Sequence, residues 1–145
     1  MPGTVPTSKG VDLDGLHAFI AAMPKVELHV HLEGSIRPAT LLTLAERNGV
    51  PLPATDLEGL RDFYRFTDFD HFIRVYFTIS GCLKTVDDYA LIAYEFGADM
   101  ARQNVRYAEV MVSAFQYYNR GIDLGEVVQG AMAGFKQAER ERVPS

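Results

Sequence analysis

Apolar residues recur along this chain with two different periods, and the changes from one period to the other mark out its elements. From Lys25 to His31 (KVELHVH) apolar and polar side chains alternate, which predicts a strand with Leu28, Val30 and Leu32 on one face and His29 and His31 on the other. Gly34 breaks that strand. Pro38 then opens a helix built on Leu41, Leu42, Leu44 and Ala45, ending at Asn48-Gly49. Thr55 to Glu58 reads as a capping box that starts a short second helix. From Asp68 the apolar positions Phe69, Phe72, Ile73, Tyr76 and Phe77 recur at intervals of three and four, so a third, amphipathic helix follows. A second box-like start, Thr85 to Asp88, leads a fourth helix through Tyr89, Ala93, Phe96 and Met100 to a stop at Asn104. Val105 to Val112 (VRYAEVMV) is the second strand, and Asp123 with Glu126 caps a last helix through Leu124, Val127, Val128, Ala131 and Phe135.

Strands and helices taking turns predict an α/β protein with a parallel sheet. Two parallel strands do not make a self-sufficient sheet, however, and five helices would cover one that is larger than this. The inventory fits the N-terminal part of a (β/α)8 TIM-type barrel with a helical insertion after strand 1. Because such a barrel takes about 250 residues or more, residues 11–145 are expected to be part of a longer domain. Residues 1–10 (MPGTVPTSKG) are expected to be a flexible N-terminal tail.

Composition narrows the choice of ligand. Lys and Arg together number 14 against 19 Asp and Glu, giving a net charge of -5, so the chain lacks the basic face that nucleic acid requires. A small neutral or cationic ligand fits better. The single cysteine, Cys82, excludes an internal disulfide and a multi-cysteine zinc knuckle. The apolar run Leu16 to Met23 contains His17 and is too brief to span a membrane or serve as a signal peptide, so a cytoplasmic protein is expected.

The candidate chemistry lies at the end of strand 1. Side chains two apart on a strand share a face, and parallel barrels gather their chemistry at the C-terminal ends of their strands. His29 and His31 could thus both reach one Zn2+, although a catalytic zinc takes three protein ligands and a water. Two imidazoles capping a strand end and bonding to backbone would be the plainer alternative. Neither His17 nor His71 stands in an obvious position to be a third ligand.

The longer string PKVELHVHLEGSIRP resembles the N-terminal signature of the adenosine deaminase family, a branch of the metal-dependent amidohydrolases. ISGCLKTVDDYALIAYEF and NVRYAEVMVS resemble the stretches that follow in that family. The resemblance implies a (β/α)8 barrel holding one zinc, with His29 and His31 as two of its ligands and His31 also lying against the bound purine. It implies a substrate contact for Glu33, where adenosine-specific members often have Asp and adenine-specific relatives also have Glu. Gly34 would let the loop backbone approach the ligand, and Phe69, Phe72, Ile73 and Tyr76 would form an apolar lid over it. Glu109 and Glu27 are given no catalytic role.

The activity so implied is hydrolytic deamination of adenosine to inosine and ammonia in purine salvage, with a small-molecule purine nucleoside or base as partner. Adenine and the menaquinone-pathway nucleoside aminodeoxyfutalosine are the alternative substrates. In that family the third His ligand, the catalytic Glu, an orienting His and a metal-binding Asp come from later strands. These 145 residues are therefore expected to contain half a metal site and to be inactive alone. A cytidine deaminase reading of His31-Leu-Glu33 fails for want of the cysteine pair its zinc would need. A histidinol-phosphatase-like phosphoesterase would want basic residues for phosphate, and only Arg37 is near. A non-catalytic pseudoenzyme or binding module is the alternative of another class.

Overall fold

A computed structural model describes residues 12–113, 117 and 120–141. The expectation of a tail at residues 1–10 lies outside them. Two parallel strands, β1 (Lys25–His31) and β2 (Val105–Met111), are joined by four helices and preceded by one. In order, these are α1 (Leu13–Ala22), β1, a 3-10 turn (Leu32–Ser35), α2 (Pro38–Asn48), α3 (Leu57–Phe63), α4 (Phe69–Ser80), α5 (Val86–Arg102), β2 and α6 (Leu124–Glu141). This is the N-terminal part of a (β/α)8 barrel, with α2, α3 and α4 inserted between β1 and the helix that crosses to β2.

Local chemistry sets most of the boundaries. Pro38 occupies the first turn of α2, and Gly49 ends that helix in the left-handed region at φ 62°, its amide donating to the carbonyls of Ala45 and Glu46. Asp68 caps α4 by accepting from the His71 amide at 2.7 Å. Thr85 and Asp88 form a reciprocal capping box on α5. The cap of α3 falls one residue later than the sequence predicts, because Asp56, not Thr55, reaches the Gly59 amide at 2.8 Å. Before β2, Asn104 takes a left-handed conformation (φ 57°), and its side-chain amide donates to the Ala22 carbonyl at 2.6 Å, tying the end of α1 to the start of β2.

The core joins α2, α3, α4 and α5 to the covered face of the sheet. Leu32, Leu41, Leu44, Leu60, Leu83 and Ile92 are fully or almost fully buried, and Val30, Ala108 and Val110 pack against them. α5 leans on β2 and on the 3-10 turn and runs alongside α6. Glycines make that helix pairing close: a Cβ on Gly134 would stand 2.1 Å from the Ala90 carbonyl oxygen, and one on Gly130 would stand 2.4 Å from that of Val86. Asp88 is the buried hinge between α2 and α5. It accepts from Arg47 at 3.0 Å, from Asn48 at 2.8 Å, and from the amides of Lys84 and Thr85 at 2.9 and 3.0 Å. Burial pushes its carboxyl up, but these donors outweigh burial and hold it below the ordinary carboxylate value.

The sequence pattern places an apolar stripe on α4 at Phe69, Phe72, Ile73, Tyr76 and Phe77, and the side chains buried from this helix are Val75, Ile79 and Ser80. Phe69 is 73% exposed, and Phe72 and Phe77 are also exposed. The aromatic row follows the same helical period but lies on a different face from the one that enters the core. Apolar side chains are also exposed on α1 and β1, among them Leu13, Phe19, Val26 and Leu28. Among the described residues no helix is long and apolar enough to cross a membrane.

Candidate active site

The two histidines end β1 as the alternation requires, and both are exposed. Their ring centroids are 5.3 Å apart with the planes at 62°. That spacing suits a shared metal: with nitrogen-to-zinc distances of about 2.0–2.1 Å, two imidazoles at a tetrahedral corner have centroids roughly 5 Å apart. Among the described residues no group of three or more His, Cys, Asp or Glu side chains could hold a metal. The pair therefore fits part of a zinc's donor set and leaves the remaining ligands to be supplied from elsewhere. His71 is engaged away from it, accepting from the Thr67 amide at 3.3 Å and packing edge-on to Phe63.

An aromatic row leads to the imidazoles. The Phe72 ring lies 5.2 Å from Phe66 and 6.1 Å from Phe69, and stacks on Tyr76 at 6.4 Å. The Tyr76 ring in turn stands edge-on to His31, centroids 6.2 Å apart. Ile73, on the same helix, is partly buried. Four rings thus form a wall on one side of the histidine pair, a surface on which a flat heteroaromatic ring can stack.

Glu33 is placed differently from an open substrate contact. It is fully buried, so it is not a solvated loop carboxylate. Its Oε1 accepts from the Ser113 amide at 2.8 Å and from the Tyr117 hydroxyl, and its Oε2 accepts from the Tyr76 hydroxyl at 3.2 Å. The Tyr76 hydroxyl also lies 2.5 Å from Ser113 Oγ. Burial pushes the Tyr76 phenol up to about 12, so it keeps its proton at neutral pH and can donate. Sequence reasoning missed Ser113 and Tyr117 as partners of this carboxylate, and nothing local to either residue announces the contact. Beside them the buried Tyr89 ring packs edge-on to Tyr117 at 5.2 Å, its hydroxyl without a partner among the described residues.

Gly34 lies in the 3-10 turn, exposed, without the positive φ of a tight glycine turn. A Cβ there would meet Tyr76 Cε2 at 3.8 Å, so the position faces the edge of the aromatic wall. Glu109 is exposed on β2 and accepts from the Tyr107 hydroxyl at 3.0 Å, a partner two residues away.

Comparison with known proteins places the chain in a family. The family model described as adenosine deaminase matches residues 24–143. The aminodeoxyfutalosine deaminase of Streptomyces coelicolor is 46% identical over 126 residues, which are 87% of this chain and 33% of that protein. The crystal structure of an adenine deaminase from Arthrobacter aurescens, 35% identical, superposes with a TM-score of 0.76 over 83% of this chain and 37% of its own. A zinc-bound amidohydrolase from Burkholderia ambifaria, 32% identical, gives 0.72 over 86% and 34%. The chain spans about a third of the length of these relatives. With a match that runs through both strands and every helix after α1, the chain belongs to the adenosine deaminase family.

Proposed function

We propose that the complete polypeptide carrying this chain is a zinc-dependent hydrolase that removes the 6-amino group of a purine as ammonia. The observation that carries the reading is the pair His29 and His31, 5.3 Å apart at the C-terminal end of β1, with an aromatic wall against His31. The zinc-bound relative supports the choice of metal.

In this reading His29 and His31 hold the metal through one ring nitrogen each. Zinc, when bound, would lower the pKa of a water toward 7 and so supply the nucleophile. Tyr76 and Phe72 offer their faces and edges to the purine, orient its ring and exclude bulk water from it. The exposed Gly34, with no side chain of its own, leaves the edge of Tyr76 open to that ring. The acid that protonates the purine ring nitrogen, and the remaining ligands, belong to other parts of the polypeptide.

The motif resemblance favours adenosine as substrate, whereas the names of two relatives favour aminodeoxyfutalosine and adenine. We rank aminodeoxyfutalosine first, on the 46% identity of the Streptomyces coelicolor relative. The single, fully buried Cys82 thiol suits work in a reducing compartment such as the cytoplasm. Ammonia release from the three purines, measured side by side on the complete polypeptide with and without a zinc chelator, tests both reaction and ranking. Chelator-sensitive release from any of them supports the reaction, and release from none refutes it.

A further inference from the structure

Glu33 has no surface open to a ligand, and both its oxygens are taken by protein donors. A substrate that bonded to it directly would first have to break one of those bonds and open a closed site, at the cost of leaving a buried polar group unmet. The donors come from three separate places: α4 through Tyr76, the end of β2 through the Ser113 amide, and the segment beyond it through Tyr117. The hydroxyls fit a one-way chain, in which Ser113 donates to Tyr76 and the single proton of Tyr76 goes to Glu33.

α4 buries Val75, Ile79 and Ser80 and carries its phenylalanines outside, and it packs on the 3-10 turn that contains Glu33. The Arg120 side chain donates to the Ser80 carbonyl at 2.8 Å, one turn beyond Tyr76. The Tyr76 hydroxyl ties the part of the helix that meets His31 to the Glu33 carboxylate.

We propose that Glu33 is a positioning residue: its buried carboxylate, acting through the Tyr76 hydroxyl, sets where the aromatic wall of α4 stands relative to His31, and Glu33 does not itself touch the substrate. The role in catalysis rests on the deaminase reading, while the anchoring of α4 does not.

The test compares Tyr76→Phe and Glu33→Gln with the parent in the complete polypeptide. Amide hydrogen exchange is followed in residues 69–80 and 86–102, together with bound zinc and the kcat and KM for aminodeoxyfutalosine and adenine. Tyr76→Phe keeps the ring and its packing. It is expected to speed exchange in α4 about tenfold with α5 unchanged, to raise KM about tenfold with a smaller fall in kcat, and to leave zinc content as in the parent. Glu33→Gln is expected to speed exchange in α4 in the same way. Unchanged α4 exchange in Tyr76→Phe overturns the proposal. So does a loss of substrate binding in Glu33→Gln with α4 exchange unchanged, the pattern of a direct substrate contact. If α4 exchange speeds up but the parent deaminates no purine, the anchoring stands and the deaminase reading fails.

Discussion

Tyr76 meets His31 edge to face, with ring centroids 6.2 Å apart and planes at 85°. The contact joins the end of the first strand to a helix more than forty residues further along, and it places an apolar ring beside an imidazole suited to metal binding. In that position the positive edge of one ring meets the face of the other, an arrangement worth about 0.5–1.5 kcal/mol beyond burial.

The histidine pair should be separable from the wall. Replacing either His29 or His31 by Ala in the complete polypeptide is expected to weaken zinc binding by about 100-fold or more while leaving the fold intact, since both side chains are exposed. Metal content after dialysis, with circular dichroism as the control for folding, checks this.

Helix packing should depend on the absence of a single methyl group. Gly134→Ala drives a Cβ to 2.1 Å from the Ala90 carbonyl oxygen and 2.8 Å from the Tyr94 amide nitrogen, backbone atoms that cannot turn aside. A loss of about 3 kcal/mol is expected in denaturant unfolding. Gly49→Ala makes the contrast. Nothing lies within 4 Å of its Cβ, so only the left-handed φ of 62° is strained and the cost should be about 1 kcal/mol.

Acid should act partly through Asp88. Its donors hold the carboxyl below the ordinary value of 3.8, so in the unfolded chain it takes up a proton at higher pH than in the folded one. The stability it contributes is therefore complete well above pH 3.8 and is lost as the pH falls through that value toward the folded pKa. Asp88→Asn is expected to cost about 1–2 kcal/mol near pH 6, with the gap to the parent narrower at about pH 3. Unfolding curves of both proteins at the two pH values measure it.

Tyr89 should tolerate the loss of its hydroxyl. That group is buried and has no partner among the described residues, so Tyr89→Phe removes a desolvated oxygen while keeping the ring against Tyr117. Stability is expected to stay level or rise by about 1 kcal/mol in thermal unfolding.

Much of the architecture was legible in the chain because it rests on local rules. Alternation put β1 at Lys25–His31, Pro38 and Gly49 bounded α2, and the Thr85 and Asp88 pair announced α5. The position of His29 and His31 on one face follows from the same alternation. What could not be read was set by contacts distant in sequence. The donors to Glu33 lie 43, 80 and 84 residues away, and no pattern around Glu33 distinguishes a buried carboxylate from an open one. For α4 helical spacing locates a stripe, but only the neighbouring elements decide whether Phe72 or Val75 turns inward.

The most direct test of the account is release of ammonia by the complete polypeptide from aminodeoxyfutalosine, adenine and adenosine, in parallel with a protein carrying His29→Ala and His31→Ala together. The account predicts that the parent releases ammonia from at least one of them in proportion to its bound zinc, and that the double variant, folded but without zinc, releases none above background. Deamination that persists in the folded double variant, or its absence from a zinc-loaded parent with all three purines, would contradict it.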